Sequence, residues 1–280
     1  LHDRMEPMQL IHATTCPPEA RLSRSSALIC LDCSQLIAYP PFPLTCPQCG
    51  SQWLEARYPY PELGRDLPAL VSSRPFDLWR YREALPLDDF HPDLSTGEGG
   101  TPLYRAVSLG MMLGCPNLFI KDERQGLTHS FKDRQAAISV AAMKEAGITE
   151  AVLASTGNVA ISYSAFAARA GIRLWVFLTS LVPPEKMREV ALYGTQVVKV
   201  TGTYDQAKQL AAEFAQQRGL YLERGPRSVP SVEAMKTIAF EIAEQLTLRG
   251  VQIARRTISK YRLGMSPPLA SPRPGRASAS

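Results

Sequence analysis

At 280 residues, with 45% hydrophobic and 20% charged side chains, the chain has the composition of globular material and the length of about two domains. No apolar run approaches the ~20 residues needed to cross a bilayer, and Leu1-His2-Asp3-Arg4-Met5 mixes charges where a secretory signal carries an apolar stretch, so a cytoplasmic protein with no membrane partner is expected. The formal charge is +5, but Thr247 to Ser280 holds seven basic residues and no acidic ones, leaving 24 basic against 26 acidic elsewhere, so no nucleic-acid face is expected.

The first 27 residues read as an N-terminal arm, and the absence of methionine at position 1 points to an unusual start codon or a fragment. Residues 28–55 carry four of the six cysteines as Cys30-Leu-Asp-Cys33 and Cys46-Pro-Gln-Cys49-Gly50, with twelve residues between the pairs. Two such loops can turn four thiolates toward one point, the requirement of a structural zinc site with no open coordination position. Two disulfides or a redox pair are the competing readings; the first needs a secreted protein, and the second does not need two pairs. Cys16 and Cys115 stand alone as ordinary small side chains. Residues 56–96, rich in Pro, Tyr and Arg, read as a connecting arm with one short helix near Phe76–Glu83.

From about Asn117 the pattern alternates. Short apolar strands are expected at Leu118–Lys121, Ala151–Ala154, Leu174–Leu178, Val197–Val200 and Leu220–Leu222, and helices at Lys132–Ala146, Asn158–Ala170, Pro184–Tyr193, Tyr204–Arg218 and Pro230–Leu246. Repeated units of this length imply an α/β fold, an open parallel sheet with helices on both faces, spanning residues 97–246. In such sheets ligands bind where strands end and the next helices begin.

Two loops occupy such junctions. Thr128-His129-Ser130-Phe131-Lys132-Asp133-Arg134 opens one helix with a lysine, although the helix dipole favours anions there. A lysine at a positive helix end is pushed toward its neutral amine, the nucleophile that condenses with an aldehyde. Local pairing of Asp133 and Arg134 on the helix is the plain structural alternative. Ser155-Thr156-Gly157-Asn158 opens the next helix and offers backbone N–H groups and an amide to a carboxylate or phenolate oxygen; its alternative is an ordinary N-cap by Ser155 or Thr156.

Ser130-Phe-Lys-Asp-Arg134 resembles the cofactor-lysine motif of threonine synthases, and Ser155-Thr-Gly-Asn158, twenty-six residues after Lys132, resembles their asparagine loop. Gly97-Glu-Gly-Gly-Thr-Pro-Leu103, Lys121-Asp-Glu123, Gly202-Thr-Tyr-Asp-Gln-Ala207 and Lys236-Thr-Ile-Ala-Phe-Glu-Ile242 are similar to further family segments in the same order, so the resemblance runs from about Leu28 to Leu246. It implies a pyridoxal-phosphate enzyme of the tryptophan-synthase β fold (fold type II), preceded by a zinc-ribbon-like knuckle and acting on a small amino-acid substrate, often as a homodimer. Lys132 would hold pyridoxal phosphate as a Schiff base and serve as proton-transfer base. Asn158 would bond the cofactor's ring oxygen, and Ser155, Thr156 and Gly157 the substrate carboxylate. The implied reaction is lyase chemistry, O-phosphohomoserine and water giving threonine and phosphate. A serine or threonine ammonia-lyase, or another β-replacement enzyme of the same fold, is the nearest alternative, and an inactive zinc-bearing remnant the third.

The chain departs from the family in two places. Gly126-Leu-Thr-His-Ser-Phe-Lys132 keeps only Thr, Ser, Phe and Lys of the usual run before the lysine, with His129 either contacting a substrate anion or serving as a loop residue. No glycine-rich phosphate loop follows Leu246; residues 247–280 are basic and Pro/Ser-rich, a composition read as disordered or out of frame, so a truncated fold with impaired turnover is expected.

Overall fold

The computed structural model describes residues 27–38 and 45–251. Residues 1–26 of the N-terminal arm, Cys16 among them, residues 39–44 of the cysteine knuckle and residues 252–280 of the tail lie outside them. Strands β1 (Ala27–Cys30), β2 (Leu36–Ala38) and β3 (Leu54–Arg57) form an antiparallel sheet in the order β2-β1-β3. Helix α1 (Tyr60–Ser72) and a 3-10 helix (Leu78–Ala84) follow. Strand β4 (Leu103–Arg105), helix α2 (Val107–Met112) and strand β5 (Phe119–Lys121) come next. The remainder alternates: α3 (Lys132–Glu145), β6 (Glu150–Ala154), α4 (Asn158–Ala170), β7 (Arg173–Thr179), α5 (Pro184–Leu192), β8 (Gln196–Val200), α6 (Tyr204–Arg218), β9 (Tyr221–Glu223) and α7 (Val229–Leu248).

The main sheet is parallel, in the order β8-β7-β6-β9. Alternation along each strand divides its side chains between two cores. Leu153, Leu174, Val176 and Leu178 join a cluster with Ile138, Tyr163 and Phe166 of α3 and α4, whereas Val152, Phe177 and Val200 meet Ala207, Ala211 and Ala215 of α6. Helices therefore cover both faces, as the repeated strand–helix pattern predicts.

Two expectations need correction. The strand at Phe119–Lys121 does not join the parallel sheet; it pairs antiparallel with Leu103–Arg105 in a separate two-stranded sheet. The connecting arm holds a thirteen-residue helix, α1, besides its short 3-10 turn. Its sequence concealed that helix because Pro61 and Pro68 both read as breakers, yet Pro61 lies in the first turn, where no N–H is needed.

Helix α3 is held by more than apolar packing. The Arg134 side chain is 1% exposed and Glu241 of α7 0% exposed; Arg134 Nη1 donates to Glu241 Oε1 at 2.5 Å and Nη2 to Oε2 at 2.8 Å. Arg134 also reaches Glu123 at 2.8 Å, and Lys121 Nζ reaches Glu241 at 2.6 Å and the Thr101 carbonyl at 2.7 Å. Gly100 N–H donates to Glu241 at 2.9 Å. Gly99 and Gly100 have φ of 88° and 58°, and a Cβ on Gly100 would collide with the Phe76 carbonyl. Both the backbone sign and the close approach require glycine there.

Burial opposes the charge on Glu241, but Arg134 and Lys121 outweigh it and hold its carboxyl below the usual range. Burial lowers Lys121 despite its contact with the same carboxylate, which leaves Arg134 as the dominant partner. Because the folded-state pKa of Glu241 is depressed, its contribution to stability is present at neutral pH and lost as pH falls through that value. Glu241→Ala strands buried cations and is expected to cost about 3–5 kcal/mol, read as a lowered urea midpoint at neutral pH. The exposed control Glu213→Ala stays within about 0.5 kcal/mol, and equal midpoints for the two variants would remove the ion cluster from the account of stability.

Candidate active site and cysteine cluster

Lys132 is the first residue of α3, after Phe131 at the N-cap. The loop before it is closed by Asp133, whose carboxylate accepts the Thr128 N–H at 2.8 Å and the Thr128 hydroxyl. Asp133 and Arg134 thus serve the loop and the distant α7, not each other. His129 has φ of 56°, is exposed, and bonds through Nδ1 to the Arg124 carbonyl at 3.1 Å, which is the loop role of the two considered.

Lys132 Nζ donates to Gln135 Oε1 at 3.2 Å and lies 4.3 Å from the Phe131 ring centre. Burial lowers its pKa, so the amine is neutral over a wider pH range than a surface lysine. It faces a cavity of about 870 Å³ bounded by the ends of β6 and β9, the start of α6 and the turn before α7. That volume lies within the range of small-molecule and cofactor sites.

Ser155 shares this cavity with Lys132. Thr156, Gly157 and Asn158 do not line it; they continue from Ser155 into α4, whose next residue, Val159, lines it again. Gly157 is the N-cap of α4 and no side chain caps that end, so neither Ser155 nor Thr156 is spent as a conventional cap. The Ser155 hydroxyl accepts only a long contact, 3.5 Å, from Gly157 N–H.

The cavity also contains groups that the motifs did not mark. Lys208, Arg224 and Arg227 bring cations to its wall, and Glu223 is its one carboxylate among the described residues. Arg224 Nη1 is buried with no hydrogen-bond partner among the described residues, which fits an anionic group such as a phosphate or carboxylate. A neutralisable amine, an unpaired guanidinium and a free hydroxyl around one cavity are a donor set that fits pyridoxal phosphate. Gln52 and Trp53 line the same cavity, and Arg227 stacks 5.4 Å over the Trp53 ring while bonding Gln52 at 3.2 Å. The residues after the second cysteine pair therefore form part of its wall.

The four sulfurs of Cys30, Cys33, Cys46 and Cys49 lie within 4.8 Å of one another. Cys30–Cys49 and Cys33–Cys46 are each 3.6 Å apart, too far for a disulfide at ~2.05 Å and close to the ~3.8 Å edge of a tetrahedron with 2.3 Å metal–sulfur bonds. The two loops are built alike. Ser34 N–H donates to the Cys30 carbonyl at 2.9 Å and Gly50 N–H to the Cys46 carbonyl at 2.8 Å, and both residues take positive φ, 62° and 70°. The left-handed residue after each pair bends the chain so that backbone N–H groups and both sulfurs turn inward. The fit to a tetrahedral metal is good.

A family description of pyridoxal-phosphate dependent enzymes matches residues 94–253. The chain is 35% identical to the threonine synthase of Methanocaldococcus jannaschii over 219 residues, 78% of this chain and 53% of that protein. It is 31% identical to the threonine synthase of Methanosarcina acetivorans over 223 residues, 79% of this chain and 54% of that protein. It spans about half the length of the curated relatives it matches. Among solved structures, apo diaminopropionate ammonia lyase from Escherichia coli aligns with a TM-score of 0.52 at 17% identity, over 59% of this chain and 56% of that one, a likeness of fold alone. With its α/β architecture, its parallel sheet and the match over residues 94–253, the chain belongs to the pyridoxal-phosphate-dependent enzyme family.

Proposed function

We propose that the cavity at Lys132 carries out pyridoxal-phosphate-dependent lyase chemistry of the threonine synthase kind, O-phosphohomoserine and water giving threonine and phosphate. The observation that carries this reading is the partly buried Lys132 amine at the start of α3, sharing one cavity with Ser155 and the unpaired Arg224 guanidinium. Identities of 31–35% to threonine synthases support the reaction class. When bound, pyridoxal phosphate supplies an electron sink for a carbanion on the substrate. The chain's own residues then divide the remaining work. Lys132 would hold the cofactor's aldehyde group and move the proton at the substrate's α-carbon. Ser155 at the cavity wall, with Thr156 and Gly157 continuing from it into α4, would bind the substrate carboxylate, and Asn158 at the same helix start would bond the cofactor's ring oxygen, although of these four only Ser155 lines the cavity; Arg224 with Lys208 would give a cationic wall for phosphate.

Purified protein mixed with pyridoxal phosphate is expected to turn yellow and, after borohydride reduction, to carry the pyridoxyl group on the Lys132 peptide. Lys132→Ala loses both signals. Label spread over Lys208 and surface lysines, unchanged in Lys132→Ala, would remove Lys132 from this role. With the adduct in hand, phosphate release from O-phosphohomoserine supports the proposed reaction, whereas ammonia release from threonine reassigns the site to an ammonia-lyase.

We also assign the four-sulfur cluster to a structural zinc ion. Burial works against a thiolate at Cys30, but backbone N–H groups of Cys33 and Asp32 outweigh it and hold that thiol at about 6, while at Cys49 the Ser51 N–H lowers the thiol but the neighbouring sulfurs and burial outweigh it and push it up to about 12. A cation among the four sulfurs would draw off the remaining protons and complete a tetrahedral thiolate site. Metal analysis is expected to give one zinc per chain, lost in Cys46→Ser, and a chelator is expected to change the fluorescence of Trp53 beside the cluster. Metal-free protein with all six thiols titratable and a fluorescence that chelator leaves unchanged would overturn the assignment.

A further inference from the structure

Behind Lys132 a line of hydrogen bonds runs into the core. Lys132 Nζ donates to Gln135 Oε1 at 3.2 Å, Gln135 Nε2 donates to Ser231 Oγ at 2.6 Å, and Ser231 Oγ donates to Glu223 Oε1 at 3.3 Å. An ammonium can only donate and a carboxylate can only accept, so with Ser231 donating to Glu223 the dipoles point one way; the same hydroxyl also accepts from Ser139 Oγ at 3.3 Å and lies 2.8 Å from Tyr163 OH. Gln135, Ser231 and Glu223 are buried, and Glu223 is anchored independently by Gly225 N–H at 2.8 Å and Tyr221 OH at 3.0 Å. None of these residues belongs to the motifs that mark the site.

Building on the assignment of Lys132 as the aldehyde-binding amine, we propose that Gln135, Ser231 and Glu223 form a polarised chain that orients this amine and sets its basicity, with Glu223 as the positioning residue at its far end. The charge distribution of the cavity supports this. Lys132 shares the cavity wall with Lys208 of α6, Arg224 and Arg227 of the turn before α7 and Tyr204, and Glu223 is the single carboxylate among them. Tyr163 of α4 and Tyr221 of β9 face Glu223 through Ser231 and directly, and both are held in their neutral form by burial. Burial also pushes the Glu223 carboxyl up, while three donors, Gly225 N–H, Tyr221 OH and Ser231 Oγ, favour its charged form. No proton travels along the chain, because an amide interrupts it; the effect is orientation and charge. Burial makes the Lys132 amine easier to deprotonate, and on this proposal a carboxylate linked through the chain works in the opposite direction. A neutral amine keeps two N–H groups, so Lys132 can still donate to Gln135 Oε1 after losing its proton; what it loses is the positive charge that the Glu223 carboxylate favours.

The test uses trace acetylation of the free protein across pH, with the extent at the Lys132 peptide read by mass spectrometry, so that cofactor is not needed. In Glu223→Gln the midpoint at Lys132 is expected to fall by about half a unit or more, and Ser231→Ala, which cuts the chain in its middle, gives the same fall. The double variant shifts no further than either single one, because both break one chain. Lys121, which belongs to the Arg134–Glu241 cluster, keeps its midpoint and reports on the fold; if Glu223→Gln does not fold, Ser231→Ala decides alone. Unchanged Lys132 midpoints in folded variants, or shifts that add in the double variant, overturn the proposal. Borohydride trapping with pyridoxal phosphate separates the two claims: a shifted midpoint without trapping keeps the chain and removes the aldehyde role, and trapping without a shift does the reverse.

Discussion

The ion pair between Arg134 and Glu241 is the interaction on which the arrangement of the site depends. It joins residues 107 apart in sequence across a contact with almost no solvent, and it brings in Lys121 from the two-stranded sheet, Glu123 in the turn just beyond it, and the Gly99–Thr101 loop. A buried pair of this kind adds little net stability over an apolar contact of the same shape, but it is intolerant of misplacement, because a displaced charge has no water to fall back on. Its effect is one of register. Arg134 lies two residues beyond Lys132 on α3, so the pair that locks α3 to α7 also fixes where the amine emerges into the cavity.

This clamp explains why so many recognisable segments surround the lysine without touching it. Gly97–Leu103, Lys121–Glu123, Asp133-Arg134 and the Lys236–Ile242 helix all converge on the one cluster or on the loop that leads to it. Their residue types are dictated by that geometry: glycines where Phe76 and Leu78 approach too closely for a Cβ, carboxylates where a guanidinium must be met, a threonine hydroxyl where Glu123 needs a donor. The site proper contributes fewer constraints, since the cavity leaves space and the bound group supplies the reactive atoms.

The parts of the fold that were legible in the sequence are those with local signals. Asn158–Ala170 and Tyr204–Arg218 match their helices to the residue because Gly171 and Gly219 end them in the left-handed conformation, and Thr203 with Gln206 closes a capping box before the second. The cysteine spacing likewise fixed two similar turns. What depended on distant partners was not legible. Nothing near Phe119–Lys121 tells a parallel strand from an antiparallel one, since that choice belongs to Leu103–Arg105, and nothing near Arg134 tells a helix-surface pair from a contact with α7. Within the site, Lys132 was marked by its position at a helix end, whereas Gln135, Glu223 and Ser231 looked like ordinary polar residues until folding placed them in one line. A buried Gln one turn beyond a reactive lysine is the one signal that could have pointed to them.

The cysteine module has a second consequence for the cavity. Its sheet packs through Leu28 and Ala56 against Val229 at the start of α7, and the residues just beyond Cys49 place Trp53 at the cavity wall under Arg227. A sheet of three short strands holds too little apolar surface to fix such a wall by itself. A metal at the four sulfurs, on the proposed assignment, supplies the missing rigidity, and the Trp53–Arg227 stack transmits it to the turn carrying Arg224 and the end of β9 carrying Glu223. On that argument the module and the cavity would form one mechanical unit: a bound metal would order the turn that bears the cationic wall, and α7, held through Glu241 and through Val229 at its start, ties that turn to the helix that presents Lys132.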